Sequence, residues 1–149
     1  TTLVHIGNQE YKTAKKYISN AIIDHNIKYL PLMRTIRLVR LIVFYEVQEH
    51  ELIQYESRSI TRSLSSPKEQ TFKTERIILW FLNKRNIPIL KKDREAFWEK
   101  LSPEIHELYN NKYESQLLRL FDFTAWMESK IRKEKLSEVL RARASAKEC

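Results

Sequence analysis

Residues 31–64 contain two helix-like stretches that are separated by only two or three residues. The first runs from about Pro31 to Val47, and apolar side chains cover most of its circumference. The second runs from about Glu49 to Leu64. Its inward stripe is predicted to contain Leu52, Ile53, Ile60 and Leu64. Because so short a link makes consecutive helices antiparallel, the segment predicts a helical hairpin whose first helix is buried between neighbours.

Composition extends this interpretation to the whole chain. Its 149 residues include one Gly and four Pro, which is too few for the many turns of a β-rich protein. Hydrophobic residues make up 42% of the chain, enough for a packed core. We therefore predict an all-α protein of six to eight helices with short connections and no strand.

Capping residues and periodicity place the other helices of the first half. One helix is predicted from about Gln9 to Asp24, with Asn8 as its N-cap. Another is predicted over 67–84, and its "IILWFL" segment should be deeply buried. Its start is indicated by a capping box of Ser66, Pro67 and Glu69.

The second half is predicted to contain helices over 91–101, 103–110, 112–132 and 136–144. Pro103 follows a serine and precedes a glutamate, which is typical of a helix start. The alternative is a single helix over 91–110 that is kinked at this proline.

Near the N-terminus, a Tyr is followed by small and large apolar residues at regular spacing: Tyr11, Ala14, Ile18 and Ala21. The pattern resembles the second-helix signature of a tetratricopeptide repeat. The turn glycine of that motif would fall at Gln9, whereas the glycine of this chain is Gly7. The resemblance implies that Leu3–Ile6 is the last turn of a first repeat helix. It also implies an N-terminal edge that favours self-association.

The second hairpin resembles a degenerate copy of the same repeat, in which Ile53 and Ile60 replace the signature alanines. The stretches "TRSL…FKTERIILWFLNK" and "FDFTAWMESKI" resemble the C-terminal portion of large, uncharacterised helical-repeat proteins from Bacteroidetes bacteria. These resemblances imply a tetratricopeptide-like α-solenoid fragment of a larger chain. We expect one domain over 1–149, with hairpins over 1–64 and irregular capping helices over 65–149.

Several classes of chemistry are disfavoured by the residues. One glycine cannot build a glycine-rich phosphate loop, and the four histidines lack partners at metal-ligand spacing. The aromatic residues fall on apolar stripes, which favours core packing over base stacking. We therefore predict a chain without cofactor, metal or catalytic site. The single cysteine, Cys149, favours a reducing compartment such as the cytoplasm, and no apolar run reaches the length of about 18 residues that a membrane span needs. The resemblance to Bacteroidetes proteins implies that this cytoplasm is bacterial.

The net charge of +8 is concentrated in residues 1–45, which contain seven basic and two acidic residues. Guanidinium groups suit carboxylates, phosphates and acidic peptides. We therefore predict an anion-reading groove, with the candidate residues Arg34, Arg37, Arg40, Arg58 and Arg62. The alternative is that the arginines of the first helix lie at its rim or pair internally with Glu46, Glu51 or Glu56.

The predicted function is a non-enzymatic scaffold for protein–protein interaction, because stacked helical hairpins hold a partner peptide or helix without chemistry. The alternative is binding of nucleic acid or of an acidic partner through the basic first third.

Overall fold

The computed structural model describes residues 1–19, 31–64, 72–83 and 87–147. Of these residues, 84% are helical, and they contain nine helices and no strand, which confirms the all-α prediction. The helices are α1 (Thr2–Gly7), α2 (Tyr11–Ser19), α3 (Pro31–Glu46), α4 (His50–Leu64), α5 (Lys73–Asn83), α6 (Lys91–Asn110), α7 (Glu114–Leu120), α8 (Phe123–Arg132) and α9 (Leu136–Lys147).

The chain divides into two compact units. Unit 1 is Thr1–Leu79 and unit 2 is Trp80–Cys149, so the division falls within α5. In unit 1, α1 packs against α2, α2 against α3, and α3 against α4. In unit 2, α6 packs against α7 and α8, and α8 packs against α9.

The two turns of unit 1 have the same backbone geometry at a constant shift of 39 positions, from Gln9 to Gln48. Gln9 has a φ of 62° and Gln48 a φ of 63°, the left-handed region that favours glycine. In the first turn, the amide of Glu10 donates to the carbonyl of His5 at 2.7 Å. In the second, the amide of Glu49 donates to the carbonyl of Phe44 at 2.9 Å. Asn8 ends α1 as its C-cap, so its predicted role as the N-cap of the next helix is wrong.

The core of unit 1 lies along α3, whose predicted burial is confirmed. Fully buried side chains on this helix are Leu38, Leu41, Ile42 and Val43. Ala14 and Ile18 bury one face of α2, while Ile53 and Ile60 bury one face of α4. Leu52 was predicted to point inward and instead is exposed. It lies about 100° round the helix from Ile53, which directs it away from the buried face.

The helix α6 is continuous through Pro103, so the predicted division into two helices is wrong and a single helix is right. Proline leaves the carbonyl four residues earlier without its helical donor. That residue, Glu99, is exposed, as is Pro103 itself, so the position is accessible to water. The helix therefore keeps the proline on its solvent side.

The predicted helix over 112–132 is also wrong, because the chain forms two helices there. Phe121 adopts an extended conformation, with a φ of −154° and a ψ of 130°, and ends α7. Asp122 then caps α8, and its side chain accepts from the amide of Ala125 at 3.0 Å. Asp122 stands just before an apolar run, which is a helix-start signal. The prediction of one helix followed instead the apolar periodicity that continues over 112–132.

The core of unit 2 is centred on α8. Its fully buried side chains include Phe123, Trp126, Met127 and Ile131. Leu136 and Val139 bury one face of α9, which ends at Lys147 rather than near Ala144. The predicted capping box at Ser66–Glu69, and the predicted helix ends at Asp24 and Lys84, lie outside the described residues.

Candidate functional site

Arg34 of α3 is paired within unit 1. Its Nε donates to Glu75 Oε1 at 2.6 Å, and its Nη2 donates to Glu75 Oε2 at 2.5 Å. The arginine side chain is 11% exposed and the glutamate side chain 4%. The guanidinium carbon also lies 4.6 Å from the centre of the Phe72 ring. This forked pair joins α3 to α5, a partner that the sequence analysis did not name.

The buried carboxylate of this pair has a perturbed acidity. Burial raises the pKa of Glu75 above its usual value, and the hydrogen bond and charge of Arg34 only partly offset that effect. Arg34 is therefore the main group that favours the charged form of this carboxylate, and the backbone of Phe72 and the charge of Arg37 add to its effect.

Arg37 and Arg40 are half-buried on the same helix. Arg37 Nε donates to Glu56 Oε1 at 3.4 Å, and its Nη2 donates to Ser59 Oγ at 3.0 Å. Pairing with Glu56 was one of the predicted alternatives to a partner-facing groove. Arg40 lies 5.8 Å from the centre of the Phe44 ring. Its Nε is buried and has no hydrogen-bond partner among the described residues.

Arg58 and Arg62 are exposed on α4, and no carboxylate among the described residues is paired with either. The structure thus separates the five candidate arginines into an engaged group on α3 and an exposed pair on α4. The use of any of them for an anionic partner stays a prediction.

A second group of cations lies on α2 and was not singled out from the sequence. Lys12, Lys15 and Lys16 line a pocket of about 690 Å³ together with Ser19, Val47 and Glu49. Lys15 Nζ donates to Glu49 Oε1 at 2.5 Å, which ties α2 to the turn between α3 and α4. Lys12 and Lys16 are exposed. Their spacing of four residues was available in the sequence, but the position of Glu49 beside them was not.

Unit 2 contains a branched polar network around Arg143 of α9. Its Nε and Nη2 donate to Glu128 Oε2 at 2.9 and 2.6 Å. Its Nη1 donates to Asp122 Oδ2 at 3.2 Å and to the hydroxyl oxygen of Tyr109 at 2.8 Å. Arg132 supports the same network, because its Nη1 lies 2.9 Å from Glu128 Oε1.

These contacts shift the acidity of two members. Burial raises the pKa of Tyr109 to about 12, and the Asp122 carboxylate adds to the rise while a hydrogen bond with Thr124 opposes it. Burial opposes the charge of Arg143, but the carboxylates of Asp122 and Glu128 raise its pKa above the usual value. At neutral pH, Tyr109 therefore keeps its hydroxyl proton as a donor, and Arg143 keeps its positive charge.

A pocket of about 610 Å³ adjoins this network, with Trp98, Ile105 and His106 among its lining residues. The His106 Nδ1 lies 2.8 Å from the carbonyl oxygen of Ser102 and is part of an exposed helix surface. The carboxylates at this pocket are bonded to arginines, which is the arrangement of a structural network rather than of an acid–base pair.

Metal-binding clusters and membrane-spanning helices are both absent from the described residues. These residues contain no group of three or more histidine, cysteine, aspartate or glutamate side chains that could hold a metal ion. They also contain no helix long and apolar enough to cross a lipid bilayer.

Of the eleven aromatic residues predicted to pack in the core, five are buried, four are half-buried and two are exposed. Phe72, Phe81, Trp98, Phe123 and Trp126 are buried. Tyr55 is 71% exposed and Trp80 is 45% exposed, although Trp80 lies in the segment predicted to be deeply buried.

The Trp80 ring stacks on Phe97 of α6, with centroids 6.3 Å apart and planes at 8°. Leu90, which is 67% exposed, is the N-cap residue of α6.

Within the described residues, the fold and these surfaces define an all-α protein of packed helices, with paired arginines on α3 and α9 and exposed cations on α2 and α4. No protein-family model, no curated protein and no solved structure matches the sequence.

Proposed function

We propose that the chain is a non-enzymatic scaffold for protein–protein interaction, built from helical hairpins. The observation that carries this proposal is a surface patch of unit 2 in which the exposed Trp80 stacks on the half-buried Phe97, and to which we assign the exposed Leu90. Large apolar side chains grouped at a protein surface mark interaction sites, and tryptophan is enriched among the residues that dominate binding energy. A flat pair of stacked rings beside a leucine suits the apolar face of a partner helix.

The matching turns of unit 1 support the repeat part of the proposal. Gln9 and Gln48 adopt the left-handed conformation at equivalent places, and Gln9 is where the tetratricopeptide motif has its glycine. We propose that α1–α2 and α3–α4 are two copies of one hairpin, as the resemblance implies. Leu3 and Val4 are exposed at the edge of the first copy, whereas Ile6 is buried. Self-association through this edge stays a prediction, which sedimentation of Val4→Glu beside the unaltered chain would test.

The main experiment selects peptides from a displayed random library on the full chain and measures the affinity of the selected sequences by fluorescence anisotropy. We expect Trp80→Ala and Leu90→Lys each to weaken binding about tenfold. Tyr55→Ala is the matched control, because it removes an exposed aromatic ring from α4 and should leave the affinity unchanged. Circular dichroism would verify that each variant keeps its helical content.

Tryptophan fluorescence offers an independent readout of the same binding. Trp98 and Trp126 are buried, so acrylamide quenching should report mainly on Trp80. A bound peptide should protect Trp80 from the quencher. The proposed surface would be contradicted if the selected peptides bound equally well to Trp80→Ala and left the quenching of Trp80 in the unaltered chain unchanged. A selection that yields no binders would contradict the proposed function.

A second candidate function is binding of nucleic acid through the basic first third, which the exposed Lys12 and Lys16 favour. Phosphate contacts make such binding fall steeply with salt. A salt series with a labelled oligonucleotide tests it: a steep loss of affinity that Lys12→Glu/Lys16→Glu abolishes favours nucleic acid, and an absence of binding at low salt excludes it.

A further inference from the structure

We propose that the lysine pocket of unit 1 binds an acidic segment of the protein partner, through two carboxylates on alternate residues of an extended peptide. The lysine pocket is lined by Lys12, Lys15, Lys16, Ser19, Val47 and Glu49. The inference rests on the proposed function, because it names the part of a partner protein that this pocket recognises.

Helical spacing places the cations of α2 on its outer side. Lys12, Lys16 and Ser19 follow one another at intervals of four and three residues and are exposed. Ala14 and Ile18 are buried on the opposite side of the helix. The inner side of α2 is therefore held in the core of unit 1, while the outer side presents the lysines to solvent.

The third lysine has a different role from the other two. Lys15 is bonded to Glu49, which follows the left-handed Gln48 in the turn between α3 and α4. This ion pair neutralises the one carboxylate that lines the pocket among the described residues. It also fixes the wall of the pocket against α2, since its two partners belong to different helical hairpins.

Lys12 and Lys16 keep their positive charge available. Neither has a carboxylate partner among the described residues, and both are exposed. Like charges four residues apart on a helix repel one another and destabilise it slightly. An anion that contacts both ammonium groups relieves this repulsion, which gives the bound state an electrostatic advantage.

The spacing of the two lysines selects the form of the ligand. Four residues of helix correspond to a rise of about 6 Å. Alternate side chains on one side of an extended peptide are separated by about 6.6 Å. Two acidic residues with one residue between them therefore match Lys12 and Lys16, and the apolar Val47 offers contact to the stems of their side chains.

The same lining favours a peptide over a nucleic acid. Binding of single-stranded nucleic acid typically combines cations with aromatic rings on which bases stack. The described residues that line the pocket include no aromatic side chain.

The experiment uses the full chain and a fluorescein-labelled peptide with glutamates at alternate positions, titrated by anisotropy at about 50 mM salt. A peptide with glutamines in place of the glutamates is the ligand control. We expect saturable binding of the acidic peptide only, and a loss of affinity of about tenfold in Lys12→Glu/Lys16→Glu. Lys12→Gln/Lys16→Gln should show a smaller loss and serves as the second variant.

Lys91→Glu/Lys92→Glu is the matched control, because it makes the same change in net charge on exposed residues of α6. Its affinity for the acidic peptide should be unchanged. Equal losses in both reversal variants would show that only net charge matters and would overturn the proposal. Unchanged binding by the α2 variant, or binding of an oligonucleotide in place of the peptide, would overturn it as well.

The outcome separates this inference from the proposed function. If library-selected peptides bind in a Trp80-dependent manner and the acidic peptide does not bind, the lysine pocket is excluded while the scaffold function stands. If neither kind of peptide binds, both proposals fail.

Discussion

Units 1 and 2 each contain an arginine bonded to buried carboxylate groups, but they support that arginine differently. In unit 1, Arg34 forms a forked ion pair with Glu75, and both side chains are almost inaccessible to solvent. In unit 2, Arg143 bonds to both Asp122 and Glu128 and is more accessible. The carboxylates of unit 2 have further side-chain donors in Arg132 and the Tyr109 hydroxyl. Glu75 is supported, besides Arg34, by a hydrogen bond from the backbone of Phe72 and by the more distant charge of Arg37.

This difference teaches how the stability of each unit depends on its arginine. Removing one member of a buried ion pair leaves the other charge without compensation, which costs more than the pair contributes. In a branched network, the remaining donors keep the carboxylates bonded after one member is lost. The α3 arginine should therefore be the more sensitive position, although the sequence analysis considered it for partner binding.

The largest expected effect on the free energy of unfolding is that of Arg34→Met. The variant leaves the Glu75 carboxylate buried without its cation, so we expect a loss of about 3 kcal/mol of unfolding free energy at pH 7. Urea unfolding followed by circular dichroism measures it. Arg62→Met, on the exposed side of α4, is the control and should change stability by less than about 0.5 kcal/mol. A small effect of Arg34→Met would mean that the pair does not stabilise unit 1.

Arg143→Met should have a smaller effect. Glu128 keeps its contact with Arg132, and Asp122 keeps the Tyr109 hydroxyl and the Ala125 amide as donors. We expect a loss of about 1–2 kcal/mol in the same unfolding experiment. A loss as large as that of Arg34→Met would break the distinction between an isolated pair and a network.

The raised pKa of Glu75 predicts that the difference in unfolding free energy between the unaltered chain and Glu75→Gln depends on pH. Because burial raises the pKa of this carboxyl in the folded state, the folded chain holds its proton to higher pH than the unfolded chain. The stability of the unaltered chain relative to the variant should therefore fall as pH rises from 4.5 through the folded pKa. Urea unfolding between about pH 4 and 7 measures this difference. If the stability of the unaltered chain relative to Glu75→Gln instead rose with pH, the pKa of Glu75 would be lowered by folding rather than raised.

The smallest expected effect on stability is that of Lys12→Glu/Lys16→Glu. Both side chains are exposed and outside the buried pairs, so unfolding free energy should change by less than about 0.5 kcal/mol. The same variant should lose affinity for the acidic peptide. A large loss of stability would show that these lysines, like Arg34, stabilise the fold and are not free surface charges.

Helix type and burial could be predicted from the sequence where the apolar pattern is dense. The periodicity over α3 gave both its start at Pro31 and the burial of Leu41 and Ile42. Boundaries set by single residues were less predictable. Pro103 resembles a helix start but is tolerated on an exposed surface, while Asp122 is a cap within a stretch whose periodicity continues.

The pairing of the candidate residues could not be predicted, because it depends on contacts between distant positions. Arg34 and Glu75 are 41 residues apart, and Arg143 and Tyr109 are 34 apart. No local spacing indicates which carboxylate approaches which guanidinium. The exposure of Trp80 was missed for a related reason, since an apolar run does not indicate which of its members meets solvent.

The central claim is that Arg34 of α3 stabilises unit 1 through its buried pair with Glu75. The coupling energy between Arg34 and Glu75 tests it most directly, from urea unfolding of Arg34→Met, Glu75→Leu and the double variant. We predict that the double variant recovers most of the stability lost by Arg34→Met, with a coupling energy of about 2 kcal/mol or more. Additive effects, with a coupling energy below about 0.5 kcal/mol, would contradict the claim.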